Sequence, residues 1–393
     1  MKFLHISDLH FGLKLCDRDL REDQRYVLDQ VVKYAAEHMP QAIVIAGDVY
    51  NVSEPSLDAI HEYGRFISAL RKAVPDAQIM AVSGNHDSAE RLDLYRKELE
   101  EIGLYVIGLP PQKKGEKIAK VVLEDEFGPV NFYLLPFVKP AFIKEIIGQK
   151  EAGKNYSYSD AVRKLIELEN IDATQRNVLV SHQYYVPVGV DASKVERANS
   201  ERTTIGNVDA VCADVLDQFD YAALGHIHKP WALDEFHRYC GTPVQYSVNE
   251  EGQKKGVVLV ELGAKGTRTA EVLPLTPLHE IRKVRGTLEE VCKEAFENEK
   301  SREDYVVAVL TDKIELDANE MKAKLNAAYP NLLRHEREGE NNADFEFTLE
   351  SDEIVDKPFD MCMKLLGEDL KDDQEIVSIL REIVDEVVDG QNN

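Results

Sequence analysis

Short apolar runs recur along the first third of the chain, each followed by a stretch in which apolar positions return every three or four residues. Residues 2–7, 41–46 and 78–83 form the strand-like runs, and residues 21–37, 56–72 and 89–102 carry the helical spacing. This β-α-β-α alternation predicts an α/β class, a layered sheet with helices on its faces. From about residue 127 the pattern becomes strand-rich, with runs at 130–135, 177–181, 221–224, 256–262 and 268–273. It changes again near 278–286. A helix over 287–297, a strand over 305–311, a helix over 318–328 and a strand over 344–349 read as a small α+β domain. Two helices follow, over 356–366 and 373–388. In the second, Ile376, Leu380, Ile383, Val384, Val387 and Val388 make an apolar stripe among acidic residues. The expected division is 1–277, 278–352 and 353–393.

The ends of these strands carry the chemistry. Asp8-Leu9-His10 follows the first run, Gly47-Asp48 the second and Gly84-Asn85-His86-Asp87 the third. His182 ends the run at 177–181, and Gly225-His226-Ile227-His228 ends the run at 221–224. Ligand sites of open α/β sheets form at the carboxyl ends of strands, so residues distant in sequence meet at one rim. Asp8 with His10, and His226 with His228, place donors on one side of an extended segment, where side chains alternate. Asp48 has two oxygens and can bridge two cations. Asn85 is a neutral oxygen donor suited to a hard ion. One bridging carboxylate, two further oxygens and four imidazoles suit a paired divalent-metal site, which hydrolyses phosphoesters by activating water and neutralising phosphorane charge. His86, beside a ligand, can protonate or hydrogen-bond the leaving oxygen. Mixed nitrogen and oxygen donors favour Mn2+ over Mg2+, with iron and zinc open. Isolated histidines such as His38, His61 and His335 read as ordinary surface or packing residues.

Composition changes this picture little. Hydrophobic residues make up 44% of the 393, enough for a full core. The run at residues 2–7 reads as a buried strand and not as a signal peptide, and no apolar run is long enough to span a bilayer. Cys16, Cys212, Cys240, Cys292 and Cys362 are far apart and odd in number, which argues against disulfides and structural zinc. A cytoplasmic address and no membrane partner follow. The net charge of −25 runs against an enzyme acting on nucleic acid, but from Thr287 onward 12 basic residues face 30 acidic ones. That region therefore holds −18 of the −25, and the first 286 residues hold −7. The acidity reads as a solvated or partner-facing surface away from the metal ligands.

The series D-x-H, G-D, G-N-H-D, H and G-H-x-H, in this order, resembles the calcineurin-like metallophosphoesterases. The resemblance implies two mixed β-sheets packed face to face and flanked by helices, with the small α+β unit as a cap. Finer matches are Asp8-Leu9-His10-Phe11-Gly12, Gly47-Asp48-Val49-Tyr50, residues 83–92, residues 205–209, residues 220–230 and Tyr239-Cys240-Gly241-Thr242-Pro243. These resemble SbcD-type nuclease subunits over roughly the first 285 residues. By that resemblance Asp8, His10, Asp48 and His228 hold a first metal, Asp48, Asn85, His182 and His226 hold a second, and His86 is catalytic. It further implies a homodimer bound to an SbcC-type ABC ATPase with coiled coils, the last helices docking on that partner. The activity implied is manganese-dependent, ATP-stimulated cleavage of DNA ends and hairpins, exonucleolytic on duplexes and endonucleolytic on single strands, in end processing, recombination and repair. Some relatives carry a histidine or aspartate where this chain has Asn51, a difference expected to touch rate or substrate preference and not metal binding.

On this reading Lys14, Arg18, Arg91, Tyr184, Tyr185 and Lys229 are candidate DNA contacts on the rim. A phosphoesterase acting on a small-molecule or protein phosphoester would use the same site, and the long C-terminal addition speaks against it. A scaffold subunit without catalysis is the third reading, and the complete ligand set speaks against that.

Overall fold

The structure, a computed structural model, describes residues 1–147, 156–190, 209–297, 302–312 and 317–338. The strand expected over 344–349, the helices expected over 356–366 and 373–388, the boundary at 352 and the motif residues 205–208 lie outside the described residues.

Two six-stranded mixed sheets form the main body. Across the first, the order is Arg268–Pro274, Gly256–Leu262, Lys2–Ile6, Ala42–Ala46, Gln78–Val82 and Leu104–Ile107. The last four of these strands run parallel, and the first two are added antiparallel. Across the second, the order is Trp231–Ala232, His237–Tyr239, Tyr221–Gly225, Arg176–His182, Gly128–Leu135 and Ala119–Asp125.

Alternation within each strand explains the layering. In the first sheet Phe3, Val44, Met80 and Val82 face the second sheet, where they meet Phe132, Leu134, Val178, Val180 and Tyr221. Their sequence neighbours Leu4, Ile43, Ile45 and Ile79 face outward onto Val27, Leu28 and Val31 of helix Arg21–His38 and Phe66 and Leu70 of helix Leu57–Ala73. In the second sheet Leu135, Leu179, Ala222 and Leu224 pack outward onto Ala161, Val162, Leu165 and Ile166 of helix Tyr158–Leu168. Strands buried on both faces read as unbroken apolar runs such as Ala42-Ile43-Val44-Ile45-Ala46, because neither face meets water. The expected architecture of two mixed sheets flanked by helices is therefore the one observed.

Two expectations of local structure change. The helical spacing over 89–102 breaks into helices Ala89–Leu92 and Arg96–Glu100, with Tyr95 between them at φ 60°. The Asp93 carboxylate accepts from the Gly108 and Leu109 amides at 3.0 and 3.3 Å, which ties the break to a neighbouring loop. The second change concerns Asp8 and His10. They do not continue the strand Lys2–Ile6 but take φ of 54° and 44°.

Residues 278–338 add a third sheet of strands Ile281–Gly286, Tyr305–Leu310 and Leu332–Arg337, all parallel, crossed by helices Leu288–Glu297 and Ala318–Ala328. One face has its own core of Val284, Val291, Val306, Leu310, Met321 and Leu325. The other joins the main core through Ile281, Tyr305 and Val307. Buried Asp23 accepts from Tyr305 Oη at 2.7 Å and pairs with His279 Nδ1 at 2.9 Å, fastening this sheet to helix Arg21–His38. No helix among the described residues is long and apolar enough to cross a membrane.

Candidate metal centre

The parallel strands of both sheets end at one rim, and the loops leaving them carry the polar residues. Three loops are pinned to one another by backbone bonds. The amides of Asp8, His10 and Phe11 donate to the carbonyls of Gly47, Asp48 and Val49 at 3.0, 2.9 and 3.0 Å. Asp87 accepts from the amides of Val49, Tyr50 and Gly84 at 3.0, 2.8 and 2.8 Å, which joins the third loop to the second. Asp8, His10, Asp48 and His226 all have positive φ, from 44° to 102°. A left-handed non-glycine residue costs about 1–2 kcal/mol, so these bonds hold strained backbone in place. The donors of Asp8-x-His10 therefore share a side through a pinned turn and not through strand alternation.

The side chains converge. Ligand atoms of Asp8, His10 and His228 lie within 4.8 Å of one another, as do those of Asp8, Asp48 and His182. Nε2 of His10 lies 3.1 Å from Nε2 of His228 and 3.5 Å from Asp48 Oδ2. On the other side His182 Nε2 lies 3.2 Å from Asp48 Oδ2 and 3.1 Å from Asn85 Oδ1, and His226 Nδ1 lies 2.8 Å from the same Asn85 oxygen. Asp48 thus sits between two groups, His10 with His228 and His182 with Asn85. Asp8 and Asp48 also accept backbone amides, from His226 at 2.9 Å and His86 at 3.0 Å. His182 Nδ1 donates to the Ala46 carbonyl at 2.8 Å, which leaves its Nε2 directed inward.

The electrostatics fit cations. Burial pushes the Asp48 carboxyl up, but His182, His86 and His10 outweigh burial and hold it well below the ordinary range. Burial pulls His182 down, yet Asp48 more than compensates and lifts it to about 9. Burial takes His10 well below its ordinary value, as a neutral ligand requires. Two imidazole nitrogens facing one another on one side of the buried Asp48 carboxylate, and two imidazoles facing the Asp48 and Asn85 oxygens on the other, fit a divalent ion on each side of Asp48. His10 Nδ1 finds no hydrogen-bond partner among the described residues.

His86 differs from its neighbours. Its ring is half-buried whereas His10, His182, His226 and His228 are buried, and it lies edge-on to His10 with centroids 4.9 Å apart. Its Nδ1 donates to the backbone carbonyl of Asn51 at 2.8 Å. The contact uses the main chain, so a different residue at 51 would not change it.

The candidate DNA contacts divide. Tyr184 and Tyr185 are fully buried, because the strand Tyr184–Val186 pairs with Ala210–Cys212 and packs into the core of the second sheet. Tyr185 Oη is also bonded to Ser181 at 2.9 Å, so neither ring stands exposed on the rim as the sequence reading expects. Half-buried Arg18 donates to the carbonyls of Pro330 and Leu332 at 2.9 and 3.3 Å, a tie to the small sheet. Lys14, Arg91 and Lys229 are exposed, Arg91 with Glu54 at 2.8 Å.

Further buried polar residues stand at the site, and of these Gln24, Tyr246 and Glu250 have no motif to announce them. Gln24 donates to the Leu9 and His10 carbonyls at 2.9 and 3.1 Å, and Tyr246 Oη donates to Leu9 at 2.6 Å. Asp209 Oδ2 lies 4.0 Å from His226 Nε2. Glu250 lies behind His228. In sequence Gln24 looks like any polar position of a helix, and Asn249-Glu250-Glu251-Gly252 looks like a surface turn.

A family model for the calcineurin-like phosphoesterases matches residues 1–230. The SbcD subunit of the nuclease SbcCD from Staphylococcus epidermidis is 32% identical over 85% of this chain and 84% of its own length. The SbcD subunit from Staphylococcus saprophyticus subsp. saprophyticus is 33% identical over 85% and 84%.

Proposed function

The chain belongs to the calcineurin-like phosphoesterase family, and within it to the SbcD subunits of SbcCD nucleases, and on that premise we propose that it is a two-metal DNA nuclease cutting duplex ends, single strands and hairpins. The observation that carries this reading is the convergence of seven donors, Asp8, His10, Asp48, Asn85, His182, His226 and His228, around a shared carboxylate, with half-buried His86 at their edge.

Asp8, His10, Asp48 and His228 would hold one ion, and Asp48, Asn85, His182 and His226 the other. Mn2+ suits this donor set. When bound, such a pair supplies Lewis acidity to the phosphoryl oxygens and lowers the pKa of water. The chain supplies the rest. Asp48 keeps both halves of the site at a fixed separation. Bonds from His182 to Ala46 and from His86 to Asn51 fix which ring nitrogen faces inward. With Nδ1–H committed to Asn51, Nε2 is the second nitrogen of His86 that can take up a proton, and the doubly protonated ring would give that Nε2 proton to the leaving oxygen and return to the neutral form. Lys14, Arg91 and Lys229 would meet phosphates and carry no base preference. The names of the relatives support an SbcC-type ATPase as partner, and we place the pair in the cytoplasm, as a homodimer of this chain with that ATPase, acting in recombination and repair.

The His86→Ala variant tests the reading. It should bind two Mn2+ per chain like the parent and lose at least about a hundredfold of its cleavage of end-labelled duplex and hairpin DNA. Undiminished DNA cleavage would sink the assignment, as would parent protein that turns over only small phosphoesters in the presence of the ATPase partner.

A further inference from the structure

Glu250 ends the 3-10 turn Val248–Glu250 and is buried 22 residues beyond His228, far from every metal motif. Its carboxylate is surrounded by donors. Oε2 accepts from Lys255 Nζ at 2.6 Å, from the Tyr246 amide at 3.3 Å and from Thr242 Oγ1 at 3.4 Å. Oε1 lies 3.3 Å from His228 Nδ1. Lys255 is itself buried, and its Nζ also donates to the His228 carbonyl at 2.9 Å and to Gln253 Oε1 at 2.9 Å. Main chain and ring of His228 are therefore gripped by one buried ion pair. A buried carboxylate and ammonium are costly to desolvate, and a pair this enclosed is weak evidence for stability alone. Its placement suggests another use. A carboxylate can only accept, so the hydrogen of neutral His228 sits on Nδ1 and the Nε2 lone pair faces His10 Nε2, 3.1 Å away.

We propose that Glu250, held by Lys255, is a positioning residue that fixes the tautomer and tilt of His228 and so sets the affinity of the metal position shared by His10 and His228. This rests on the metal-site reading above. A carboxylate behind a ligating imidazole raises ligand basicity and orients the ring, and its loss costs about 10–100-fold in metal affinity. Glutamine at 250 keeps the shape but not the function. Its amide oxygen can serve His228 or the Lys255 and Tyr246 donors, and its NH2 then confronts the other set.

The test is Mn2+ titration of the purified full chain by calorimetry and metal analysis, for parent, Glu250→Gln and Glu250→Ala. The expected result is two ions in the parent. In Glu250→Gln one of the two should bind about 10–100-fold more weakly and the other unchanged. DNA cleavage should fall at limiting Mn2+ and recover at saturating Mn2+, which a purely structural role would not produce. Parent-like affinity for both ions in the glutamine variant would overturn the proposal, whether or not the metal-free melting temperature falls. The alanine variant, if folded, should weaken the same single ion, and two parent-like affinities there would also overturn it. A parent that binds no Mn2+ would overturn the metal-site reading, and the proposal with it.

Discussion

Asp48 faces more positive potential than its burial alone would tolerate. Three imidazoles hold it ionised where burial would otherwise protonate it, and it in turn lifts His182 to about 9. Removing that one charge while keeping the shape should undo both halves of the site. The Asp48→Asn variant is expected to bind at most one Mn2+ per chain by metal analysis. Its turnover should fall at least about a hundredfold, equivalent to about 2.7 kcal/mol of transition-state stabilisation. Two tightly bound ions in that variant would contradict the central place given to Asp48. At this scale the sequence was legible wherever residue type and spacing carry the chemistry, as in Gly225-His226-Ile227-His228. It misled at Tyr184 and Tyr185, because an aromatic beside a ligand looks the same whether a neighbouring strand covers it or not. Glu250 was invisible because its meaning depends on a contact across 22 residues of chain.

The loops that leave the strands are packed backbone to backbone, and this constrains them more than hydrogen bonding alone. A Cβ at Gly84 would lie 2.0 Å from Asp48 Oδ1 and 2.4 Å from the Asp48 amide nitrogen, so no side chain fits without moving the shared carboxylate. Gly64, on the exposed face of helix Leu57–Ala73, meets nothing within 4 Å among the described residues. The same substitution should therefore act with opposite sign. Gly64→Ala should stabilise the protein by about 0.5–1 kcal/mol, seen as a raised melting temperature. Gly84→Ala should lower it and weaken Mn2+ binding at least about tenfold, or about 1.4 kcal/mol. A Gly84→Ala protein with parent-like metal affinity would show that the loop can yield. Element types followed from hydrophobic period in the long helices and central strands. The break at Tyr95 did not, since the bonds from Asp93 to Gly108 and Leu109 override a good helical pattern.

Across the whole molecule the two sheets are tied at the edge remote from the metals. Arg176, of the second sheet, donates to Asp125 Oδ1 at 2.5 Å and to the Leu262 and Gly263 carbonyls at 3.3 and 3.0 Å, at the end of a first-sheet strand. Its bonds hold the Asp125 carboxyl well below its ordinary value of 3.8. A depressed carboxyl pKa stabilises the folded state above the unfolded value and ceases to do so as pH falls toward the folded one. The melting temperature of the parent should therefore drop more steeply than that of Asp125→Asn as pH is lowered below 3.8, the variant being the less stable near neutrality. Parallel curves in thermal denaturation from about pH 7 to about pH 2 would show that this pair does not contribute to the acid limb.

The sequence by itself determined the kind of chemistry and the layered class. Ligand types are a matter of residue identity, and strands and helices covered on known faces write their period into the chain. Tertiary structure alone decided which donors meet, that Asp8 and His10 reach the site through left-handed turns, that two tyrosines are core and that Glu250 stands behind His228. Each of these depends on the approach of segments distant in the chain, and no local pattern of residues encodes such a distance.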